Sequence, residues 1–185
     1  MENKNKILQD SFGRQHTYLR ISLTELCNLR CTYCMPAEGI QLSPRSHIMN
    51  YDEVFEIAKT FVDYGVTKIR LTGGEPLVRR DADVILKKLA TLPVELSITS
   101  NAVIIDRFID VLKESGVKSI NVSLDSLIEE RFDNISRRNY FKKIIDNIEL
   151  LIQNDFHVKL NVVVIKGVND DEIIDFVNLT KKKRI

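Results

Sequence analysis

Three cysteines, Cys27, Cys31 and Cys34, are the only ones in the chain, and they fall within residues 27–34, CNLRCTYC. Three thiols so close together suggest a bound metal centre. Disulfides explain them poorly, since three is odd, the neighbours are too near in sequence to bridge comfortably, and nothing marks the chain as secreted. A structural zinc site takes four protein ligands and would have to recruit a distant partner such as His47. A four-iron cluster also ordinarily takes four cysteines. With three, one iron lacks a protein ligand, and an open coordination site on a metal is where chemistry happens. On spacing alone, both metals stay open.

Composition bounds what else the chain can do. Its 185 residues suit a single domain, 1–185, that buries roughly 70% of its unfolded surface. Lys and Arg number 27 against 26 Asp and Glu, so a net charge of +1 gives no bulk electrostatic reason for nucleic-acid or membrane binding. Charge recognition must be local. The first residues, MENKNKILQDSFGR, carry acids and no apolar run, and no segment approaches membrane-spanning length. Free cysteines fit a reducing compartment, so a cytoplasmic location is expected.

The elements that must position the cysteines follow from periodicity. Residues 18–24 (YLRISLT) alternate apolar and polar as a strand, and the cysteine loop follows its C-terminal end. Asn50 and Glu53 form a capping-box start to a helix that Gly65 ends. Residues 67–72 are a second strand, GGEP a turn, and 82–92 a second helix. The unit then repeats with strands at 94–100, 118–124 and 157–165, and helices at 104–115 and, in two pieces, 128–154. Asn169 with Glu172 predicts a capped helix carrying Ile173, Ile174, Phe176, Val177 and Leu179. The terminal KKKR is expected to complement that helix's dipole and not to bind nucleic acid.

Strands alternating with helices predict parallel βα units, five in all. Each strand nevertheless has one polar face, unlike the continuous apolar runs of a sheet covered on both sides. Those faces carry Arg20, Ser22 and Thr24, then Lys68, Arg70 and Thr72, then Ser97, Thr99 and Asn101, then Asn121, Ser123 and Asp125, and lastly Lys159 and Asn161. One face therefore meets water or ligand. With Arg20, Arg70 and Lys159 on it, the ligand should be anionic, and guanidinium groups suit phosphate oxygens. A full eight-fold barrel needs about 250 residues. The expected fold is α/β: an open, partial parallel (β/α) barrel of the TIM type, with ligands gathering at the C-terminal ends of its strands.

The motifs CxxxCxYC after the first strand, GGEP after the second, TSN after the third and NVSLDS at the fourth together resemble radical S-adenosylmethionine enzymes. Within them, YLRISLTELCNLRCTYCMP, KIRLTGGEPLVRRD, INVSLDSL and VKLNVVVIKGVND, in that order, resemble the GTP 3',8-cyclases of molybdenum cofactor biosynthesis. The resemblance implies one 4Fe-4S cluster on Cys27, Cys31 and Cys34, with S-adenosylmethionine on the open iron. It implies cofactor contacts at Tyr33, Gly73, Gly74, Glu75 and Ser123, and GTP contacts at Arg20, Arg70, Thr99 and Lys159. The implied reaction is radical cyclisation of GTP to its 3',8-cyclo form, with a 5'-deoxyadenosyl radical taking hydrogen from C3'. Implied partners are GTP, an electron donor of flavodoxin or ferredoxin type and the downstream cyclic pyranopterin monophosphate synthase, with a homodimer compatible. No P-loop is present, so the nucleotide would be held by side chains across the sheet. Members of that family are longer and hold a second cluster, for which this chain offers no fourth cysteine. Ala102 and Ser100 depart from their third-strand motif. A radical enzyme for another substrate, and an inactive cluster- or zinc-binding fragment, are the alternatives.

Overall fold

The computed structural model describes residues 7–183 and 185, so Arg184 of the terminal basic run lies outside them. Five strands, β1 (Tyr18–Ser22), β2 (Lys68–Thr72), β3 (Glu95–Ser100), β4 (Ser119–Ser123) and β5 (His157–Asn161), form one parallel sheet in the order β1-β2-β3-β4-β5. Parallel neighbours in chain order need crossovers. These are α1 (Tyr51–Asp63), α2 (Ala82–Leu89), α3 (Ile109–Glu114) and the pair α4 (Glu129–Ser136) and α5 (Phe141–Gln153), with α6 (Ile173–Lys182) after β5. The five expected units are all present.

Alternation decides which face the helices cover. Ile69, Leu71, Leu96, Ile98, Ile120, Val122 and Val158 project to one side and join Val54, Ala58, Ile85, Leu86, Leu112, Ile144 and Leu151 of the helices in a single buried cluster. Each of the Val, Leu and Ile side chains among them contributes about 1.5–3 kcal/mol on burial. The opposite face carries Arg20, Arg70, Thr99, Asn121 and Lys159, none of them buried. The first helix starts as its sequence predicts. Asn50 Oδ1 accepts from the Asp52 and Glu53 amides at 2.9 and 3.0 Å, and Glu53 Oε2 accepts from the Asn50 amide at 2.8 Å.

Three expectations need correction. The strand at 157–165 ends at Asn161, because its partner β4 stops at Ser123 and side chains take over the backbone groups beyond. Asp125 Oδ1 accepts the Val163 N–H at 2.9 Å, Asn169 Oδ1 accepts the Ile165 N–H at 2.6 Å, and Asn169 Nδ2 donates to the Val163 carbonyl at 2.9 Å. Asn169 and Glu172 consequently form no capping box. Glu172, 2% exposed, instead accepts from Ser126 Oγ at 2.8 Å and Leu127 N at 2.6 Å and pairs with Arg131. Lastly, the helix at 104–115 opens as a 3₁₀ turn, Ile105–Phe108, before α3, and several strands are a residue or two shorter than read.

Candidate active site

The C-terminal ends of β1 and β2 meet through main chain. Gly74 N–H donates to the Thr24 carbonyl and Glu75 N–H to the Leu26 carbonyl, each at 2.7 Å, so the GGE turn is bonded to the entry of the cysteine loop. The two glycines are required by that approach. A Cβ at Gly74 would lie 2.3 Å from the Leu26 oxygen, and one at Gly73, whose φ is +145°, would lie 2.6 Å from the Thr24 oxygen. The loop is held from its other side by the end of α4. Arg30 N–H and Thr32 N–H donate to the Ser136 and Ile135 carbonyls, both at 2.9 Å. Arg137, in the left-handed region at φ 53°, reaches the Met35 carbonyl at 3.0 Å and the Arg30 carbonyl at 3.3 Å with Nη1.

Within this frame Cys27 and Cys31 are partly buried and Cys34 is exposed. Burial raises the Cys27 thiol and, with Asp125 and the other two thiols nearby, pushes Cys31 up to about 11. Such thiols are protonated near neutrality until a metal takes the proton's place. The Cys27 sulfur accepts from the Leu29 amide at 3.4 Å and from Asn101 Nδ2 at 3.8 Å. Among the described residues no three His, Cys, Asp or Glu side chains group as ligands for a single metal ion. A four-iron cluster spreads its cysteines over separate irons. Three thiols from one loop, close enough to shift one another, with N–H donors on a sulfur, fit that donor set.

Two acids tie the loop and the GGE turn to neighbouring strand ends. Tyr33 donates its hydroxyl to Asp125 Oδ2 at 2.7 Å, and burial, then Asp125, drive the phenol's pKa upward. Glu75 is 1% exposed, and its carboxylate accepts from Asn101 N at 2.6 Å, Ser100 Oγ at 3.0 Å and Leu77 N at 3.1 Å. Burial still pushes it up to about 7. Its side chain thus clamps the turn to the end of β3.

The residues expected to meet an anion lie on one face in two register rows. Arg20 stands opposite Arg70, which stands opposite Ser97. Two residues further along, Thr99 stands opposite Asn121 and Asn121 opposite Lys159, with Ser123 beyond. The structure therefore joins Arg20 to Arg70 and Thr99 to Lys159. Between β1 and β5 it leaves four strand spacings of about 4.8 Å along the sheet. Arg70 Nε reaches Ser97 Oγ at 3.3 Å and its guanidinium lies 5.6 Å from the Tyr18 ring centre. Among the described residues no carboxylate forms an ion pair with Arg20, Arg70 or Lys159. Asn121 Oδ1, between Thr99 and Lys159, is buried with no hydrogen-bond partner.

Sequence reasoning missed several supports of the site. Asn101 and Asp125 were legible only as polar strand-face residues. Arg79 reads as one more charge in a solvated RRD run, yet it bonds the Leu23 carbonyl at 2.8 Å, the Met49 carbonyl at 2.6 Å and Asp81 at 2.7 Å. Arg137 likewise carries no signal, because its partners are main-chain oxygens about a hundred residues away.

The profile of the radical SAM superfamily matches residues 21–180, from within β1 to within α6. The chain belongs to the radical SAM superfamily. Molybdenum cofactor biosynthesis protein 1 of Drosophila melanogaster is 46% identical to it over 184 residues, covering 98% of this chain and 33% of that protein. GTP 3',8-cyclase, mitochondrial, of Arabidopsis thaliana is 47% identical over 182 residues, covering 97% and 47%. GTP 3',8-cyclase of Listeria monocytogenes is 45% identical over 183 residues, covering 97% and 55%. The radical SAM chain thus spans between a third and just over half of these relatives. Streptococcus suis SuiB bound to precursor peptide SuiA superposes with a TM-score of 0.75 at 23% identity, over 96% of this chain and 39% of that one. anSMEcpe with bound AdoMet does so with a TM-score of 0.70 at 17% identity, over 89% and 46%. These two share the fold, whose five parallel strands here form an open, partial barrel. Among the described residues of this radical SAM chain no helix is long and apolar enough to cross a membrane.

Proposed function

We infer that this chain is the radical-generating part of a GTP 3',8-cyclase of molybdenum cofactor biosynthesis. The observation that carries the reading is the shared placement at the strand ends. The cysteine loop and the GGE turn are bonded together beside a strand face on which Lys68 pairs with Glu95 while Arg20, Arg70 and Lys159, among the described residues, have no carboxylate partner. The family match and the names of relatives 45–47% identical support it.

Cys27, Cys31 and Cys34 would hold a 4Fe-4S cluster, with S-adenosylmethionine contacted from Tyr33, Gly73, Gly74, Glu75 and Ser123. When bound, cluster and S-adenosylmethionine together supply the 5'-deoxyadenosyl radical that starts joining C3' of GTP to C8 of its guanine. The chain's own groups position and shield. Arg20 and Arg70, adjacent in register, carry two like charges that a triphosphate would neutralise, and Lys159 offers a third from the far edge. Thr99, partly exposed on the same face, can take a polar atom of the nucleoside. The Tyr33–Asp125 bond fixes the loop against the ends of β4 and β5, and Glu75 fixes the turn against β3, so that both reactants meet a rigid floor.

Anaerobic reconstitution of the full-length protein with iron, sulfide, S-adenosylmethionine, a reductant and GTP is expected to yield the 3',8-cyclised nucleotide. One zinc with no acid-labile sulfide after anaerobic purification would refute the reading. So would reductive cleavage of S-adenosylmethionine that leaves GTP unbound and unconverted, with no protection of Arg20 or Lys159.

A further inference from the structure

We propose that the basic surface of Arg30, Arg137 and Arg138, on the outer side of the cysteine loop, is the docking site of an acidic one-electron carrier protein. The proposal rests on the reading that this loop holds a redox cluster, and adds to it the place where the electron enters. Position comes first. The Arg30 and Thr32 amides bond the Ser136 and Ile135 carbonyls, and Arg137 Nη1 bonds the Met35 and Arg30 carbonyls, so these cations bracket the stretch that carries Cys31 and exposed Cys34. No other part of the described surface is bonded to that stretch from outside the sheet face where substrate would lie.

Charge is the second observation. Residues 135–145 contain Arg137, Arg138, Lys142 and Lys143 and no acid, while residues 27–44 contain Arg30 and one acid, Glu38. Of these cations only Lys143 pairs with a carboxylate among the described residues, reaching Asp106 at 3.7 Å. The chain as a whole carries +1, so this is a local concentration of charge, with Arg137, Arg138 and Lys142 exposed and Arg30 and Lys143 partly so. An acidic partner relieves the repulsion among these cations and is steered toward the loop. Rigidity is the third. Arg137 caps α4 in the left-handed region, Arg138 Nη1 donates to the Arg137 carbonyl at 2.8 Å, and Arg30 Nη1 donates to the Cys27 carbonyl at 2.6 Å. A patch fixed in this way has little left to order when a partner lands. Tyr140, 36% exposed, adds an amphipathic ring of the kind enriched in protein interfaces.

The transfer balances simply: the carrier loses one electron, the centre gains one, and no proton or covalent bond changes at the surface. A nucleic acid would also favour a basic patch. Cations without a carboxylate partner next to a thiol loop, in a chain whose net charge is only +1, favour the electron carrier.

The test uses Arg138→Glu with Lys142→Glu in the full-length, anaerobically reconstituted protein, which leaves the Arg137 bonds to the loop in place. Reduced flavodoxin and dithionite are compared as electron sources for cleavage of S-adenosylmethionine. Binding of oxidised flavodoxin is measured by calorimetry without turnover. The flavodoxin-driven rate and the affinity are each expected to fall at least tenfold at low salt and to lose most of their salt dependence, with the dithionite-driven rate unchanged. Equal flavodoxin rates in both proteins would overturn the proposal, and so would an equal fall under dithionite, which would make the patch a support of the centre itself. Salt-sensitive binding of duplex DNA with flavodoxin rates unchanged would reassign the surface and overturn it too. Absence of dithionite-driven cleavage in the unsubstituted protein would refute the functional reading beneath it.

Discussion

Glu75 is the residue on which several lines converge, and its environment makes a pH prediction. Its carboxyl sits at about 7 in the fold against an ordinary 4.5, chiefly because it is buried. Below both values it is protonated folded and unfolded alike. As pH rises between them the unfolded chain ionises first, so stability falls by up to about 3 kcal/mol and then levels off above the folded value. Urea unfolding at pH 5 and pH 8 should therefore show a larger loss in the wild type than in Glu75→Gln. The pairings that hold Asp81 and Asp171 low act in the opposite direction and are common to both proteins. Equal losses would show that burial of Glu75 does not set this pH dependence. The neighbouring Gly74 makes a second prediction. In Gly74→Ala the new methyl meets the Leu26 and Glu25 carbonyl oxygens, so the variant should lose about 1–3 kcal/mol and its affinity for S-adenosylmethionine together. Gly116, at φ +67° with open space around it, is the control: Gly116→Ala should cost about 1 kcal/mol and leave that affinity alone.

Among the elements, β5 shows how side chains set a boundary that hydrophobic pattern leaves unmarked. HVKLNVVVI reads as one long strand, but the ladder ends at Asn161, and Asp125 and Asn169 satisfy the backbone beyond it. Asn169, 2% exposed, also donates to the Asp125 carbonyl at 2.6 Å, tying the β4 exit to the β5 exit. Asn169→Ala would leave those buried groups without partners at about 1–3 kcal/mol each for any that water cannot reach. The Ile165 amide should become one of the fastest-exchanging in the region, by hydrogen exchange followed with mass spectrometry. Unchanged exchange at Ile165 would mean that Asn169 does not hold this segment. Because Asp125 is also the partner of Tyr33, the same variant should loosen the cysteine loop, read as faster alkylation of Cys31 in the metal-free protein.

At the scale of the whole molecule, the helices bury one face of the sheet and leave the other uncovered, and the last helix is the exception. None of its residues is buried, and Ile174 and Val177 are 66% and 51% exposed. Phe176 alone among its first residues packs against the core cluster. Ile174→Lys with Val177→Lys should therefore leave the urea midpoint of this chain within about 0.5 kcal/mol of the wild type. The same pair should lower binding of a hydrophobic dye and reduce self-association in light scattering. A large loss of stability would show that this face is packed in solution.

Much of the site was legible before any coordinates. Three cysteines in eight residues point to a thiol-rich metal centre, and strict alternation puts Arg20, Arg70, Thr99, Lys159 and Ser123 on one face of a parallel sheet. Both signals are local, carried by neighbours a few positions apart, and a backbone with a period of two turns them directly into geometry. The bonds that hold the site in place were decided only by the tertiary structure. Glu75 reaches Asn101 across 26 positions, Asn169 reaches Asp125 across 44, and Arg137 reaches Met35 across 102. Such contacts join charged or amide side chains to main-chain groups that every residue possesses, so no residue type marks the partner. The same is true of the glycine pair. Its sequence announces a turn, and only the fold shows that the main chain of the cysteine loop occupies the space where side chains would be.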